Sequence, residues 1–367
     1  MDEELRSLLP TNGDDSSTTK SASIAPSRGR MMAVAVLMVA AAAATVVAIF
    51  YTSPASAVGP AAFAPRLQLA KYGKLAYASL SAKEQDSLFD EFKAAYGKRY
   101  GQTAEGKDKG DNESERFAAF VDNLARIDAR NEQERKAGGT AVHGITQFSD
   151  MTPGEFKRHY LGYVAPPKKA VKGAGVAHVD RYTGPATSVN WAGVYTTGVN
   201  NQGYCGACWA FSAVEQVESD AIRQGMLTTD DKLSVQQLVS CDNEKNAPSV
   251  FENYGCDGGN TETAYMYVAY VGGVVPNADY PYVAFYGNNP SCFTTVTDYQ
   301  MTVSGYKIVE GEEAMQSYLL STGPLSICVD ATDWSTYKSG VVSACGVDVN
   351  HCVQVLLASR HPSGGSL

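Results

Sequence analysis

Apolar side chains recur at helical spacing soon after residue 82, at Leu88, Phe89, Phe92 and Tyr96. These positions are three and four residues apart, which is the spacing that places side chains on one face of a helix. Gly97 follows the last of them, and glycine is a common helix stop. The pattern therefore predicts an amphipathic helix that ends at this glycine.

A longer stripe follows, with Arg116, Phe120, Asn123, Ile127 and Asn131 at steps of 4, 3, 4 and 4. This spacing predicts a second helix over residues 112–131, with one face turned to a core. A third helical pattern begins at position 208 and includes Phe211, Val214, Ala221 and Ile222, with Gly225 as its stop.

Residues 31–51 form an uncharged run of 21 residues, long enough to span a bilayer as a helix. Arg28 and Arg30 precede it and the next positive residue is Arg66, so we expect a signal anchor with a cytosolic N-terminus. The alternative is a signal peptide cleaved near residues 55–57. Residues 1–30 are expected to be a disordered cytosolic tail and residues 52–81 a stalk.

The 367 residues include 44% hydrophobic side chains, enough for about two folded units. From residue 186 onward there are 6 Lys+Arg against 18 Asp+Glu, a net −12, which leaves +3 for residues 1–185. The acidic C-terminal half argues against a nucleic-acid partner, because phosphate contacts need clustered basic residues. Opposite charge suits docking of the two halves.

All 8 cysteines lie between Cys205 and Cys352, which indicates a disulfide-bearing domain in an oxidising lumen. Residues 202–211 read QGYCGACWAF and contain the C-G-A-C-W pattern of a nucleophilic cysteine. Two alternatives remain for this motif: a thioredoxin-like redox pair, and a zinc site built from Cys205, Cys208, His351 and Cys352.

The motif resembles that of the papain-like cysteine proteases, and the resemblance covers about residues 88–355. It implies that Cys208 is the nucleophile, at a helix N-terminus that favours its thiolate. It also implies that the Gln202 side chain, with the Cys208 backbone N–H, stabilises the oxyanion. The base is expected to be His351, which lies 143 residues after Cys208, inside the spacing of about 130–150 for this family.

The stripe on the second predicted helix resembles the E-R-F-N-I-N signature of the inhibitory propeptide in this family. Five of six positions match, and Asn112 replaces the glutamate, which puts one ion pair in doubt. Asn112 also begins a glycosylation sequon. Gly144, Phe148 and Asp150 resemble the propeptide G-x-N-x-F-x-D motif, with Thr146 in place of the asparagine.

The resemblance further implies two disulfides, Cys205–Cys256 and Cys241–Cys292, and a set of substrate-binding residues. Gly258 and Gly259 let an extended substrate backbone approach. Thr261 and Cys328 are expected to line a pocket for medium apolar side chains, and Asn350 is expected to contact the substrate beside His351.

The implied fold is α+β: a helical inhibitory prodomain (82–160), an activation linker (161–185) and a two-lobed papain-like catalytic domain (186–367). The second lobe is expected to be an incomplete β-barrel, because no orienting Asn follows His351 and Cys345 lacks its family partner. We therefore expect the chain as written to be incomplete and poorly active.

The implied function is that of a cysteine endopeptidase precursor, which cuts polypeptides through a thioester and needs no metal or organic cofactor. Its own prodomain would be an intramolecular inhibitor, released as acid protonates carboxylates in a lysosome-like or vacuolar lumen. The alternatives are an inert homologue that inhibits other proteases through its propeptide, and a thiol-disulfide oxidoreductase.

Overall fold

The computed structural model describes residues 76–101, 112–167, 175–243, 253–293 and 298–359, which all belong to one compact unit. We refer to residues 76–167 as the N-terminal part and to residues 175–359 as the C-terminal part. Within the described ranges, no helix is both long enough and apolar enough to cross a bilayer. The predicted tail, the predicted anchor at 31–51 and the stalk up to residue 75 lie outside these ranges.

Helix α1 (Ala82–Tyr96) begins where Ser81 and Glu84 form a capping box and ends at Gly97, whose φ of 64° terminates the helix as predicted. Leu88, Phe89 and Phe92 are buried against the aromatic and aliphatic residues of the next helix. Their burial forms the small core of the N-terminal part.

Helix α2 (Glu113–Ala137) is six residues longer at its C-terminus than the predicted 112–131. Asn112 is its N-cap and accepts a hydrogen bond from the Ser114 backbone N–H. Of the predicted stripe, Phe120 and Ile127 are fully buried in the core shared with α1. The helix therefore has the predicted apolar face.

The polar members of the stripe hold the segment that follows α2. The Asn123 amide donates to the carbonyls of Ser149 and Met151, and Asn131 exchanges two hydrogen bonds with the His143 backbone. Arg116 contacts Glu155 in helix α3 (Pro153–Tyr160) through both guanidinium nitrogens. These contacts fix α3 and the chain that leaves it.

The first lobe of the C-terminal part is helical. It contains α4 (Cys208–Arg223), α5 (Val235–Cys241) and α6 (Thr261–Val271), which pack around buried Trp209, Leu238 and Tyr267. Disulfides Cys205–Cys256 and Cys241–Cys292 cross-link this lobe. Both pairs are those that the family resemblance implies.

The second lobe consists of helix α7 (Glu312–Ser321) and short strands. The strands are β2 (Gly175–Val176), β3 (Ser188–Asn190), β4 (Lys307–Ile308), β5 (Leu325–Val329), β7 (His351–Val355) and β8 (Leu357–Ser359). Strand β2 pairs with β4 in parallel, whereas β3–β8 and β5–β7 are antiparallel. A small core around Leu319, Leu320 and Ala358 joins α7 to this lobe.

Strand β1 (Val142–His143) belongs to the N-terminal part and pairs antiparallel with β6 (Tyr337–Ser339) of the C-terminal part. The N-terminal part is thus bound to the second lobe through main-chain hydrogen bonds. Helices dominate the N-terminal part and the first lobe, and most of the strands lie in the second lobe, which confirms the predicted α+β class.

Candidate active site

Cys208 is the first residue of α4, so its sulfur lies at the positive end of the helix dipole. The side chain is 1% exposed, and its thiol is free because Cys205 is bonded to Cys256. The neighbouring Trp209 indole donates to the Gly255 carbonyl and holds the start of the helix against residues 255–257. The predicted nucleophile is therefore rigidly placed.

Burial raises the pKa of the Cys208 thiol, and backbone groups of Cys352, Gly162 and Trp209 only partly oppose this. Gly162 belongs to the N-terminal part. The N-terminal part therefore contributes a main-chain contact to the sulfur in this state.

His351 is the first residue of β7, on the opposite side of the cleft from α4. Burial lowers the pKa of its imidazole to about 4, and a contact with the Tyr160 backbone carbonyl opposes this shift. Its ring packs edge-on against Trp334, with 5.8 Å between ring centroids. Among the described residues, none accepts from or donates to its buried Nδ1.

Cys208, His351 and Gln202 line one cavity of about 660 Å³ between the lobes. The structure therefore brings the predicted nucleophile, base and oxyanion donor to a single site. A second cavity of about 790 Å³ lies on the other side of His351, under Phe148, Phe156 and Trp334.

The Gln202 amide donates to the carbonyl of Tyr160 over 3.2 Å and to that of Cys205 over 2.9 Å. Tyr160 ends helix α3 in the N-terminal part. A peptide carbonyl therefore already sits against the group that the family resemblance implies as an oxyanion donor.

The main chain after Tyr160 runs through the cleft and makes an isolated parallel bridge between Tyr163 and Gly259. The Gly259 N–H donates to the Gly162 carbonyl, and the Val164 N–H donates to the Gly259 carbonyl, over 2.9 and 2.8 Å. On the other wall, the Tyr163 N–H donates to the Asn350 carbonyl over 3.0 Å. The predicted residues Gly259 and Asn350 thus bind a peptide backbone, here that of the N-terminal part.

Glycines make this close approach possible. A Cβ on Gly162 would lie 1.9 Å from the Gly206 carbonyl oxygen, and one on Gly258 would lie 2.7 Å from the Gly162 oxygen. Gly258 also has a φ of 115°, which other residues rarely adopt. Both sides of the contact therefore require glycine.

Thr261, predicted to line a substrate pocket, is buried at the start of α6, next to the N-cap Asn260. The Asn260 backbone donates to the Asn253 side chain, which in turn donates to the buried Asp242. This polar chain supports the loop that carries Gly258 and Gly259. The pocket role of Thr261 stays a prediction.

Cys328, the other predicted pocket residue, forms a disulfide with Cys352. The sequence motifs did not predict this third cross-link. Cys328 and Cys352 become neighbours only because β5 and β7 pair in the observed register. Cys205 and Cys352 are both disulfide-bonded, so neither the redox pair nor the zinc set considered above has its free thiols here. Cys345 is a free and exposed thiol, as expected.

The propeptide motif residues also have defined contacts. Asp150 accepts from Lys98 and Tyr100, Phe148 packs on Phe156 and Tyr160, and the Thr146 hydroxyl donates to the Ser335 carbonyl. Arg116 has an ion-pair partner in Glu155 although Asn112 replaces the family's glutamate. The substitution therefore leaves the arginine neutralised.

Sequence reasoning did not identify Tyr160, Gly162 and Trp334, which touch the predicted catalytic groups. Tyr160 and Gly162 lie at the junction of the predicted prodomain and linker. The available signal was the glycine itself, placed just after the predicted prodomain (82–160) and before Pro166 and Pro167.

Residues 185–357 match the family model described as papain family cysteine protease, and residues 89–156 match that of the cathepsin propeptide inhibitor domain (I29). Cysteine proteinase B of Leishmania mexicana is 36% identical over 73% of this chain, which spans 58% of that protein. The viral cathepsin of Antheraea pernyi nuclear polyhedrosis virus is 33% identical over 78% of this chain and 82% of its own length.

Solved proenzymes have the same fold. Procathepsin L2 from the Tenebrio molitor larval midgut superposes with a TM-score of 0.62 and 26% identity, over 77% of this chain and 87% of its own. A recombinant stem bromelain precursor gives a TM-score of 0.57 and 28% identity, over 77% and 85%. The chain therefore belongs to the papain family of cysteine proteases and carries a match to the cathepsin propeptide inhibitor domain ahead of the match to the protease domain.

Proposed function

We propose that this chain is the precursor of an endopeptidase in which Cys208 attacks the peptide carbonyl and His351 transfers the protons. The observation that supports this most strongly is the segment of residues 160–164, which lies in the cleft. A peptide backbone already occupies the cleft over Cys208, with one carbonyl on Gln202 and main-chain bonds to Gly259 and Asn350.

The reaction follows from these groups. Once the N-terminal part leaves, the His351 imidazole takes the proton of the Cys208 thiol, and the helix dipole stabilises the thiolate. The thiolate adds to the carbonyl, and the Gln202 amide and the Cys208 N–H stabilise the resulting oxyanion. His351 then protonates the leaving amine, which yields a thioester that water hydrolyses.

Substrates are extended polypeptides, because Gly259 offers both its N–H and its carbonyl to a bound strand. Thr261 and Cys328 are the proposed walls of the pocket for the second residue before the cut. Their small side chains favour a medium apolar residue there.

We place the mature protease in an acidic lumen of the secretory pathway, such as a lysosome or vacuole. The three disulfides favour an oxidising compartment during folding. The apolar run at 31–51 is the proposed route to it, either as a type II anchor or as a cleaved signal.

The test is hydrolysis of a fluorogenic peptide with an apolar residue two positions before the cut, after acid incubation of the full chain. Cys208→Ala and His351→Ala should each lower kcat/KM by at least about a thousandfold. Cys345→Ala removes the exposed free thiol and should leave the rate unchanged. Hydrolysis that persists in Cys208→Ala would refute the assignment.

A second role is favoured by the same occupied cleft: the N-terminal part inhibits related proteases as well as its own. The Cys208→Ala chain should then inhibit a full-length papain-family enzyme in trans. Absence of inhibition at micromolar concentration would limit the N-terminal part to its own cleft.

A further inference from the structure

The disulfide Cys328–Cys352 lies one residue from the proposed catalytic base. Strands β5 and β7 pair so that Cys328 is opposite Cys352 and Val329 is opposite His351. The cross-link joins Cα atoms 4.0 Å apart in the pair next to the end of this ladder, where His351 lies. It therefore fixes the position in β7 that directly follows the imidazole.

Few side-chain contacts of His351 survive activation. The imidazole Nδ1 is buried and has no hydrogen-bond partner among the described residues. The Tyr160 carbonyl that approaches the ring belongs to the N-terminal part, which must leave the cleft. The Trp334 ring remains, so the placement of the imidazole depends mainly on the backbone of β7.

The backbone of β7 is in turn held against the nucleophile's helix. Ser212 in α4 donates to the Val353 carbonyl over 2.8 Å, and the Gln354 amide donates to Ser219 over 2.9 Å. The backbone of Cys352 also approaches the Cys208 sulfur closely enough to affect its pKa. Cys352 therefore touches the nucleophile through its main chain and β5 through its side chain.

We propose that the Cys328–Cys352 disulfide is a positioning element that keeps His351 in register with Cys208. This proposal rests on the catalytic roles assigned above. The peptidase then needs Cys208 as a free thiol and Cys328–Cys352 as a disulfide, within the same cleft. A dithiol that donates two electrons and two protons to this bond leaves two thiols and a cyclic disulfide, and β7 is then held to β5 by the ladder hydrogen bonds without the covalent link.

The disulfide Cys241–Cys292 provides the comparison. It joins residues 51 positions apart in the first lobe, whereas Cys205–Cys256, with the same separation, begins three residues before Cys208 and its Cys205 carbonyl accepts from Gln202. A general stabilising role would make Cys328–Cys352 and Cys241–Cys292 equivalent in their effect on catalysis. A positioning role is specific to the one beside His351.

The experiment uses the full chain after acid incubation and compares Cys328→Val/Cys352→Ala with the matched double variant Cys241→Ala/Cys292→Ala. The main readout is the pH profile of Cys208 alkylation by iodoacetamide, followed by mass spectrometry of the peptide that contains Cys208. This small reagent does not need the substrate pocket, so any change in that pocket does not affect the profile.

In the Cys328/Cys352 variant, we expect Cys208 to lose its reactivity at acidic pH, so that the midpoint of the alkylation profile lies at least one pH unit higher. We expect kcat for peptide hydrolysis to fall at least tenfold. The Cys241/Cys292 variant should keep the wild-type profile even if it melts at a lower temperature. Dithiothreitol should inactivate the wild type in step with the appearance of the Cys328 and Cys352 thiols.

An unchanged alkylation profile in the Cys328/Cys352 variant would overturn the positioning role while leaving the proposed peptidase intact. An identical change in both double variants would show a general loss of structure and would also overturn it. Failure of the proposed function itself has a different signature, which is peptide hydrolysis that survives Cys208→Ala.

Discussion

Gly162 brings the main chain of the N-terminal part close to the first lobe of the C-terminal part. A side chain there would meet the Gly206 carbonyl oxygen at 1.9 Å, and neither backbone can yield without breaking its hydrogen bonds. Overpacking of this kind costs about 1–3 kcal/mol. We therefore predict that Gly162→Ala opens the cleft, so that iodoacetamide alkylates Cys208 in the full chain about fivefold faster or more at pH 7.5.

Gly154→Ala is the matched control, since its new methyl group would have its nearest neighbour 4.0 Å away. It lies in the same part of the chain and should leave the alkylation rate unchanged. Equal rates in the two variants would mean that the segment over Cys208 does not limit access to the thiol.

The residues found by sequence reasoning share one property: each belongs to a short local motif. Cys208 and Gln202 lie within ten residues of each other, and His351 has its own local signature and a distance constraint. Tyr160 and Gly162 contact the site only because the chain crosses a cleft whose residues lie more than 40 positions further along the sequence. Cys328 and Cys352 required the register of two strands, which a single sequence does not determine.

At the scale of elements, helix α2 shows where periodicity succeeds and where it stops. The spacing of Phe120 and Ile127 identified the buried face, because any amphipathic helix must bury its apolar side. The same helix also contacts the C-terminal part through Arg130 and Glu134, outside the predicted stripe. These contacts form only when α2 docks on the C-terminal part, and helical periodicity carries no information about that docking.

Arg130 is the main polar anchor of α2 on the second lobe. Its guanidinium pairs with Asp333 at 2.6 Å and donates to the Thr336 hydroxyl at 2.7 Å, with its side chain only 14% exposed. Truncating one partner of such a buried charge pair costs about 2–5 kcal/mol. Arg130→Ala should therefore raise the neutral-pH alkylation rate of Cys208 by about 30-fold or more.

Arg135 on the same helix provides the comparison. Its side chain is 65% exposed and pairs with Glu132 within α2. Arg135→Ala should change the alkylation rate less than about twofold, since exposed pairs contribute little. A comparable increase in both variants would mean that loss of helical charge, rather than loss of the anchor, opens the cleft.

For the whole molecule, the Arg130–Asp333 pair has the polarity that the charge asymmetry predicts, with a cation of the basic half on an anion of the acidic half. Two other charged contacts between the parts have the opposite polarity and involve main-chain groups: the Lys338 ammonium donates to the Ile145 carbonyl, and the Glu134 carboxylate accepts from the Ser343 and Ala344 N–H groups. The predicted electrostatic docking therefore has a candidate contact in Arg130–Asp333. Acid release through carboxylates alone stays a prediction.

The Arg116–Glu155 pair is a poor candidate for the acid trigger. Although burial opposes ionisation, hydrogen bonds from Arg116 and Thr152 bring the pKa of Glu155 down to about 2. A carboxylate with a lowered folded-state pKa contributes stability above its unfolded value of about 4.5, and loses it only as the pH falls toward 2. A lysosome-like pH lies above most of that window.

His143 fits the acid trigger better, because it is buried at the junction of the two parts, with its Nδ1 2.9 Å from the Thr336 hydroxyl. Burial and the adjacent Arg130 lower the pKa of His143, and Asp333 and Glu134 oppose this weakly. Docking therefore favours the neutral ring. That contribution is complete above about pH 6.5 and is lost as the pH falls below it toward the lowered pKa.

We predict that His143→Gln makes release of the N-terminal part less steeply dependent on pH. The readout is the logarithm of the rate, either of processing of the full chain or of Cys208 alkylation, plotted against pH. Between pH 7 and 5, the slope of this plot should fall by up to one, which corresponds to one proton. The slope matters more than the absolute rate, since loss of the Thr336 contact also weakens docking at every pH. His178→Gln, an exposed histidine beside Asp180, should keep the wild-type slope. If the His143 variant keeps it too, the acid response must arise from the carboxylates at the same interface, as the charge asymmetry alone suggests.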